Sequence, residues 1–445
     1  MKMMNRRELL RNGIALGAAA GAGGLGIPSL AYANPTTDRY FVFCYFPGGW
    51  DTLVGLDPRD PEEFSEDRIP YTLIQPGYHL LPPGYRAPIS TNVPEITLGP
   101  YIGEMARHAD KMCIIRGMTT QTVGHSSGYR CFLTGKGTSG GSARGSSLAT
   151  HMAALYGGEE PVPNLCMKIE SYNDQHPPKF SGLQVPSITD LQVVLGRAPS
   201  RVPRGYLDRI DAFVQEHPDT QTSILLDRAV KSERAAQELT ALQLNAEFDF
   251  FAQTAEMAGI RDTFQLSGTS MNSNMKAAIA AKAITGGLSR SVSFSACDNL
   301  DTHQDWPNRQ GTPQKEGWDA VARLVDYLAA APFGDGSSWL DHTTLLAFSE
   351  FMRTPVLNSN VGRDHHITNA CMLLGAGIKR GVVLGASSDI GMGTLAVDLQ
   401  SGALDPGGSV VFPSHIHRAL LHDIGYTDDI YRFWVDPFRA LLANG

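Results

Sequence analysis

Carboxylate and imidazole side chains follow several apolar segments of this chain, at points where each segment gives way to a loop. Five such junctions carry them, and the residues are Asp51, His125, Asp301, His303, Glu350 and His365. Mixed carboxylate and imidazole donors suit Zn, Mn or another divalent transition metal, whereas Ca prefers oxygen alone. The pattern therefore predicts a divalent metal site, provided that the junctions meet at one place in the fold.

Each residue taken alone also has a structural explanation. An aspartate after a strand, such as Asp51, commonly caps a turn or a helix. The Asp301-Thr302-His303 segment could form a hydrogen-bonded pair without a cation, and the stretch 362–366 could be a solvated loop. Repetition at consecutive junctions favours the metal site over these separate explanations.

The elements that must position these residues alternate between strand and helix. Short apolar, β-branched segments predict strands at 40–46, 112–116, 165–169, 291–296, 343–348, 370–374 and 382–384. Helices are predicted at 102–111, 146–156 and 316–331. This order predicts an α/β fold, a mostly parallel central sheet with helices on both faces. Chemistry in such folds gathers at the carboxyl edge of the strands.

Two segments interrupt the alternation. The stretch 57–100 is rich in Pro, Gly and Tyr and is predicted to be an irregular excursion. The stretch at about 203–286 is predicted to be a helical insertion that covers part of the sheet or of its active face. Coiled-coil pairing is a weaker alternative, because the heptad pattern does not persist.

The first 33 residues are predicted to be a twin-arginine export signal. Arg6 and Arg7 precede an uncharged segment rich in Ala and Gly, 13–27, and small residues at Ala31 and Ala33 offer a cleavage site before Asn34. A retained membrane anchor is the alternative. Cleavage would leave 34–445 as a periplasmic or secreted protein without a stable membrane anchor. Its partners during export would be the twin-arginine translocase and a signal peptidase.

Composition narrows the function classes further. The chain has 445 residues, 42% hydrophobic and 18% charged, with a formal net charge of -8. These values are typical of a globular protein, and the acidic balance argues against a nucleic-acid partner. The six cysteines show no CxxC spacing and several lie in apolar segments, so they are predicted to be buried small hydrophobes. One disulfide remains an alternative.

A longer motif carries a family resemblance. The segment Ser349-Glu350-Phe351-Met352-Arg353-Thr354-Pro355, with 362–366 and 301–303, resembles the DUF1501 family of exported bacterial proteins, which is grouped with the alkaline phosphatase and sulfatase superfamily. The resemblance extends from Tyr40 to the C-terminal helices. It implies an alkaline phosphatase-like fold with one or two metal ions at the carboxyl edge of the sheet.

The resemblance also implies roles for individual residues. The implied metal ligands are Asp51, Asp301 (with Asp298 a possible substitute), His303, Glu350 and His365. Two positions depart from the superfamily pattern. Phe351 stands where a histidine is usual, and the nucleophile position, counted back from Thr134-Gly135, falls on His125 with Ser126 next to it.

Two functions follow from this interpretation. The first is a metal-dependent hydrolase that acts on phosphate or sulfate esters of small molecules or glycans in the cell envelope. In it, Arg130 or Arg353 binds the anionic oxygens, and Ser126 or a water attacks. His125 is expected to face the site without serving as a covalent nucleophile. The alternative is a non-catalytic envelope protein that retains the fold and uses its helical insertion to bind a partner or glycan.

Overall fold

The structure is a computed structural model that describes residues 38–158, 160–196, 204–218 and 220–445. The predicted export signal, 1–33, lies outside the described residues, so its assignment stays a prediction. No helix in the described ranges is long and apolar enough to cross a bilayer.

Eight of the strands form one central sheet. In chain order the strands are β1 (Tyr40–Tyr45), β2 (Ile89–Ser90), β3 (Thr97–Leu98), β4 (Met112–Thr119), β5 (Asn164–Met167), β6 (Leu183–Gln184), β7 (Ser291–Ser295), β8 (Thr343–Phe348), β9 (Met352–Arg353), β10 (His365–His366), β11 (Thr368–Gly375) and β12 (Val382–Leu384). The sheet order is β12-β4-β11-β8-β1-β7-β5-β6. All neighbouring pairs are parallel except those of β11, which runs antiparallel to β4 and β8. The predicted α/β class and mostly parallel sheet are confirmed.

The reversed direction of β11 has a local cause. Between β8 and β11 the chain forms only the short antiparallel pair β9–β10, without the crossover helix that a parallel return needs. The amino end of β11 therefore lies at the same edge as the carboxyl ends of β4 and β8. This places the residues just before β11, including His365, at the edge where the other predicted site residues lie.

Helices cover both faces of the sheet. The α-helices are α1 (Ile69–Thr72), α2 (His125–Thr134), α3 (Leu148–Tyr156), α4 (Ile188–Gly196), α5 (Arg204–Glu216), α6 (Gln221–Ala241), α7 (Ala255–Phe264), α8 (Ser273–Thr285), α9 (Trp306–Arg309), α10 (Gly311–Ala330) and α11 (Pro413–Asp423). Phe43 of β1 belongs to a core cluster with Phe132 of α2 and Met152 of α3. Phe46, on the opposite face by strand alternation, packs on Trp318 of α10 with ring centroids 4.5 Å apart. The predicted helix at 102–111 is a 3-10 helix, Gly103–Lys111, with a non-helical backbone at His108.

The chain divides into two compact units. One comprises 38–184 and 272–445, and contains the sheet; the other is Val185–Met271. In the second unit α5 and α6 pack together, and Arg234 of α6 bonds Asp208 and Asp211 of α5 at 2.8 and 2.6 Å. The predicted insertion, 203–286, overlaps this unit, but α8 belongs to the unit with the sheet, where it packs against α10 and β7. The covering role predicted for the insertion stays a prediction.

All six cysteines lie among the described residues and are buried as free thiols. Burial raises the pKa of Cys113 and Cys166 to about 12. Their prediction as buried small hydrophobes is confirmed.

Candidate metal centre

Three imidazole nitrogens lie around one carboxylate oxygen. Asp301 Oδ1 lies 3.1 Å from His303 Nε2, 3.5 Å from His125 Nε2 and 3.5 Å from His365 Nε2. The His303 and His365 Nε2 atoms are 2.9 Å apart. We call these four residues the Asp301 cluster. Three of them, His125, Asp301 and His365, each offer a ligand atom, and these atoms lie within 4.8 Å of one another.

The sheet brings these residues together from three distant segments. His125 is the first residue of α2, shortly after β4, while Asp301 and His303 lie in the loop after β7. His365 lies in β10 and pairs with Arg353 of β9. The cluster thus lies at the carboxyl edge of the sheet, where the sequence analysis placed it.

Glu350 orients the His125 ring through its Nδ1 atom. His125 Nδ1 lies 2.8 Å from Glu350 Oε1, and the Gly48 N–H donates to the same oxygen at 2.8 Å. Glu350 is 1% exposed, so its carboxylate is held by the fold. In the tautomer that carries its proton on Nδ1, which this acceptor favours, the Nε2 lone pair of His125 is directed at Asp301. Glu350 was predicted as a metal ligand; in the structure its Oε1 contacts His125 and the Gly48 N–H, and its role toward a metal stays a prediction.

The other two imidazoles are held in the same way. His303 Nδ1 lies 2.6 Å from Asp364 Oδ1, and His365 Nδ1 lies 2.7 Å from the carbonyl oxygen of Val123. The tautomer that these acceptors favour has its proton on Nδ1, and in that tautomer each ring presents an Nε2 lone pair to the cluster. The hydrogen bond with His303 is the first cause of a lowered pKa at Asp364, which keeps that carboxylate charged.

The donor set fits a metal cation. Three Nε2 lone pairs and one carboxylate oxygen are all acceptors, so without a cation or a shared proton between them they repel. The His125 Nε2 atom is buried without a hydrogen-bond partner. Ligand atoms around a tetrahedral zinc, at bonds of about 2.0–2.1 Å, are separated by about 3.3–3.4 Å. The distances of 3.1–3.5 Å from Asp301 Oδ1 to the three Nε2 atoms, and of 2.9 Å between the Nε2 atoms of His303 and His365, are close to that value. The ligand atoms that all lie within 4.8 Å of one another are those of His125, Asp301 and His365, so His303 is the outlying member of the set.

Arg353 holds Asp301 in place. Its Nη2 donates to Asp301 Oδ1 at 2.6 Å and to the Gly48 carbonyl, Nε donates to the Gly49 carbonyl at 3.1 Å, and Nη1 donates to the Arg363 carbonyl at 3.1 Å. Partial burial raises the pKa of Asp301, but the hydrogen bond and charge of Arg353 outweigh it and the pKa is lowered. Arg353 was predicted to bind substrate oxygens. Its side chain is fully buried and already occupied, so the structure gives it a positioning role.

Asp51, which was predicted as a ligand, lies outside the contacts of the Asp301 cluster. Its Oδ2 lies 3.0 Å from Arg363 Nε and accepts the Trp306 Nε1–H at 2.7 Å, while Oδ1 accepts the Leu53 N–H at 2.9 Å. Burial raises the pKa of Asp51, and the Arg363 charge opposes that shift. The carboxylate is committed to a buried ion pair.

Three further residues named in the sequence analysis, Arg130, Ser126 and Asp298, are also separate from the cluster's contacts. Arg130 bonds both carboxylate oxygens of Glu170 at 3.0 Å and the Tyr172 hydroxyl at 2.9 Å. Ser126 is exposed on the first turn of α2, next to His125. Asp298, the substitute considered for Asp301, is also exposed. Their placement gives no support to an anion-binding role for Arg130.

The sequence analysis assigned no role to Asp364 or Val123. Asp364 lies in the stretch 362–366, directly before the predicted ligand His365. An acidic residue next to a predicted ligand was the one feature of the sequence that could have indicated its role. Val123 acts through its carbonyl, which no residue pattern reveals. Phe351, the departure from the superfamily pattern, is buried, with ring centroids 4.9 Å from His125 and 4.5 Å from His365.

Comparisons with known proteins bear on the family. A comparison with curated proteins gave no match. Among solved structures, the chain is similar to "Structure of BT4656 in complex with its substrate D-Glucosamine-2-N, 6-O-disulfate", with 12% identity, a TM-score of 0.36, and coverage of 92% of this chain and 81% of that one. The family model described as "Protein of unknown function (DUF1501)" matches residues 39–404, most of the chain. This protein therefore belongs to the DUF1501 family.

Proposed function

We propose that the Asp301 cluster binds a divalent transition metal and that the protein is an exported, metal-dependent hydrolase of phosphate or sulfate esters. The observation that carries the proposal is the convergence of three Nε2 atoms on Asp301 Oδ1. Each of the three imidazoles has its Nδ1 fixed by an acceptor. Metal-binding histidines generally have such an acceptor, which orients the ring and makes it a better donor.

The donor types favour zinc or manganese over calcium and magnesium. Three imidazole nitrogens with one carboxylate oxygen match zinc ligation, whereas the alkaline-earth ions prefer oxygen donors. When bound, such a cation polarises an ester oxygen and lowers the pKa of a water. Asp301 and His303 remain 31% and 46% exposed at their side chains, which leaves the cluster open to a substrate from solvent.

The cluster's own groups favour attack by water over a covalent intermediate. It contains no serine, threonine or cysteine, and Ser126 makes no recorded contact with it. The His125 Nε2 lone pair is directed at Asp301, so it serves better as a ligand than as a nucleophile. Arg353 fixes Asp301, while Glu350 and Asp364 fix the rings of His125 and His303. We also propose that the protein is periplasmic or secreted, and that its substrate is an anionic ester of a small molecule or of a glycan.

Metal content and ester hydrolysis test the proposal together. We expect purified protein to retain zinc or manganese after dialysis, and His303→Ala and His365→Ala to weaken its affinity by at least about tenfold, as loss of a direct bond should. His79→Ala is the matched control, because His79 is 57% exposed at its side chain and lies outside the cluster. Full metal retention in folded His303→Ala and His365→Ala variants would contradict the metal site. Hydrolysis of aryl phosphate and aryl sulfate by the metal-loaded protein would support the reaction class.

A non-catalytic envelope protein is the second candidate, and two observations favour it. Phe351 occupies the wall beside His125 and His365 where the superfamily has a further histidine, and Arg353 has no donor aimed at a substrate. In such a non-catalytic protein, a bound cation would stabilise the loops at the carboxyl edge of the sheet, and the helical insertion would bind a partner or a glycan. Stoichiometric metal with no turnover of either ester would favour it.

A further inference from the structure

A polar pocket elsewhere in the structure is lined by none of the residues of the Asp301 cluster. Its volume is about 550 Å³, within the size range of sites for small molecules. The residues that line it include three cations and no carboxylate; those that matter here are Thr119, Gln121, Lys136, Arg144, Arg432 and Trp434. We call it the basic pocket. In a chain with a net charge of -8, a pocket whose charged lining residues are all cations is unexpected.

The three cations are not engaged in close ion pairs. Among the residues that the structure describes, no carboxylate lies within ion-pair distance of Lys136, Arg144 or Arg432, and their side chains donate no hydrogen bond; Asp174 and Asp429 act on Lys136 only from a longer distance. Lys136 instead lies over the Phe433 ring, with Nζ 5.5 Å from its centroid. Partial burial lowers the pKa of Lys136, and the charges of Arg144 and Arg432 add to that shift while Asp174 and Asp429 oppose it. The first turn of α11 also lines the pocket, and its partial positive charge has the same sign.

An exposed tryptophan stands at the same pocket. Trp434 is 80% exposed, whereas the four other tryptophans are between 0% and 6% exposed. Arg432 and Trp434 both have left-handed backbone, with φ of 57° and 60°. Such angles are costly for residues with side chains and persist where the surroundings impose them.

Asp429 imposes this conformation. Its Oδ1 accepts the Phe433 N–H at 2.9 Å, its Oδ2 accepts the Trp434 N–H at 2.7 Å, and its carbonyl accepts the Arg432 N–H at 3.0 Å. The segment that presents the cation and the indole is therefore fixed before any ligand arrives. The pocket thus offers a fixed apolar face together with cationic hydrogen-bond donors, which suits a ligand that has both an apolar face and anionic groups.

We propose that the basic pocket binds an anionic saccharide, a sugar that carries sulfate, phosphate or carboxylate groups. The flat indole of Trp434 offers an apolar face for the C–H face of a sugar ring, and Lys136, Arg144 and Arg432 offer charged hydrogen bonds to its anionic groups. An extended nucleic acid needs a larger basic face than this acidic chain provides. The proposal uses none of the residues of the Asp301 cluster and stands whether or not that cluster holds a metal.

The test measures binding of defined tetrasaccharides to the full chain in the presence of a chelator. A sulfated heparin tetrasaccharide and a carboxylated galacturonate tetrasaccharide are the anionic probes, and maltotetraose is the neutral one. We expect at least one anionic probe to bind saturably and to quench tryptophan fluorescence, since Trp434 is the exposed indole. Binding should weaken with added salt because exposed charges are screened.

Variants then assign the site. Trp434→Ala and the double variant Arg144→Ala/Arg432→Ala should each weaken binding by at least about tenfold, as expected when stacking or two charged hydrogen bonds are lost. Tyr71→Ala and Arg309→Ala are the matched controls; both residues are exposed and lie outside the pocket, and their variants should bind like wild type.

Four results would overturn the proposal. They are absence of saturable binding by both anionic probes, equal binding of maltotetraose, wild-type affinity in both pocket variants, and equal or tighter binding of a single-stranded DNA oligonucleotide at the same residues. Because the chelator removes any cation, a failure of the metal proposal leaves these readouts unchanged.

Discussion

Replacing Asp51 with asparagine tests whether this carboxylate supports the fold or a cation. Asp51 and Arg363 are 1% and 0% exposed at their side chains, with Oδ2 and Nε 3.0 Å apart. Trp306 and Leu53 donate hydrogen bonds to the same carboxylate. Asparagine keeps the side-chain volume and one carbonyl oxygen but removes the charge that faces the guanidinium.

The magnitude follows from the charge left behind. Removing one partner of a buried ion pair costs about 3–5 kcal/mol, because the other charge stays buried without compensation. The Arg363 Nη atoms still donate to the carbonyls of Thr354 and Gln75 at 2.8 and 2.6 Å. We therefore expect the lower end, a loss of about 3 kcal/mol in the free energy of unfolding. The double variant Asp51→Asn/Arg363→Met should lose less free energy of unfolding than the sum of the two single variants, because no unpaired buried charge remains.

Urea unfolding followed by far-UV circular dichroism measures this loss, and metal content of the folded variant gives the second readout. The expected result is a lower unfolding midpoint with metal affinity equal to that of wild type. A stability loss below about 1 kcal/mol would refute the ion-pair argument, because an exposed residue would lose as little. A well-folded Asp51→Asn variant with much weaker metal binding would restore Asp51 as a ligand.

Three more predictions concern pH, thiols and export. Burial lowers the pKa of His417 to about 3 from an ordinary value of 6.5. Stability from this neutral imidazole is complete above pH 6.5 and is lost as the pH falls toward 3. Acidification from pH 7 to pH 4.5 should therefore cost about 2–3 kcal/mol at His417, and urea unfolding of His417→Gln should show a correspondingly smaller loss. Burial also raises the pKa of the Cys131 thiol to about 11, so an aromatic disulfide reagent at pH 8 should label all six thiols only in guanidinium; rapid labelling of native protein would contradict the buried positions. Replacing Arg6 and Arg7 with lysine should leave uncleaved precursor in the cytoplasm, and undiminished mature protein beginning at Asn34 outside it would contradict the export signal.

Seven of the eight strands of the sheet were predictable, because buried parallel strands are continuous apolar runs. The exception is the two-residue edge strand β6, whose sequence Leu183–Gln184 has no such run. The segment 343–348 was predicted with the bounds that β8 has, and 40–46 differs from β1 by one residue. The direction of β11 was not predictable, because it depends on the absence of a crossover helix between β8 and β11. The predicted helix at 102–111 failed for a local reason, since the tighter 3-10 turn has a similar residue spacing.

The site was predictable at the level of the sheet edge but not at the level of individual ligands. Asp301, His303 and His365 lie together as expected because each follows or precedes a strand at that edge. Asp51 and Glu350 satisfy the same rule, yet Arg363 neutralises the first and His125 engages the second. These partners are separated by 312 and 225 residues in sequence, so local spacing carries no information about which carboxylates remain free.

If the Asp301 cluster binds a metal as proposed, its surroundings offer donors for one cation and not for the two that the family resemblance allowed. A second ion next to the first needs further oxygen or nitrogen donors, and the nearest predicted ones are committed: Asp51 to its ion pair and Glu350 to Gly48 and His125. Phe351 adds an apolar wall 4.5–4.9 Å from the imidazoles of His365 and His125. A protein that binds a cation here is therefore expected to saturate at one equivalent, and two equivalents held with equal affinity would require donors that this edge of the sheet does not present.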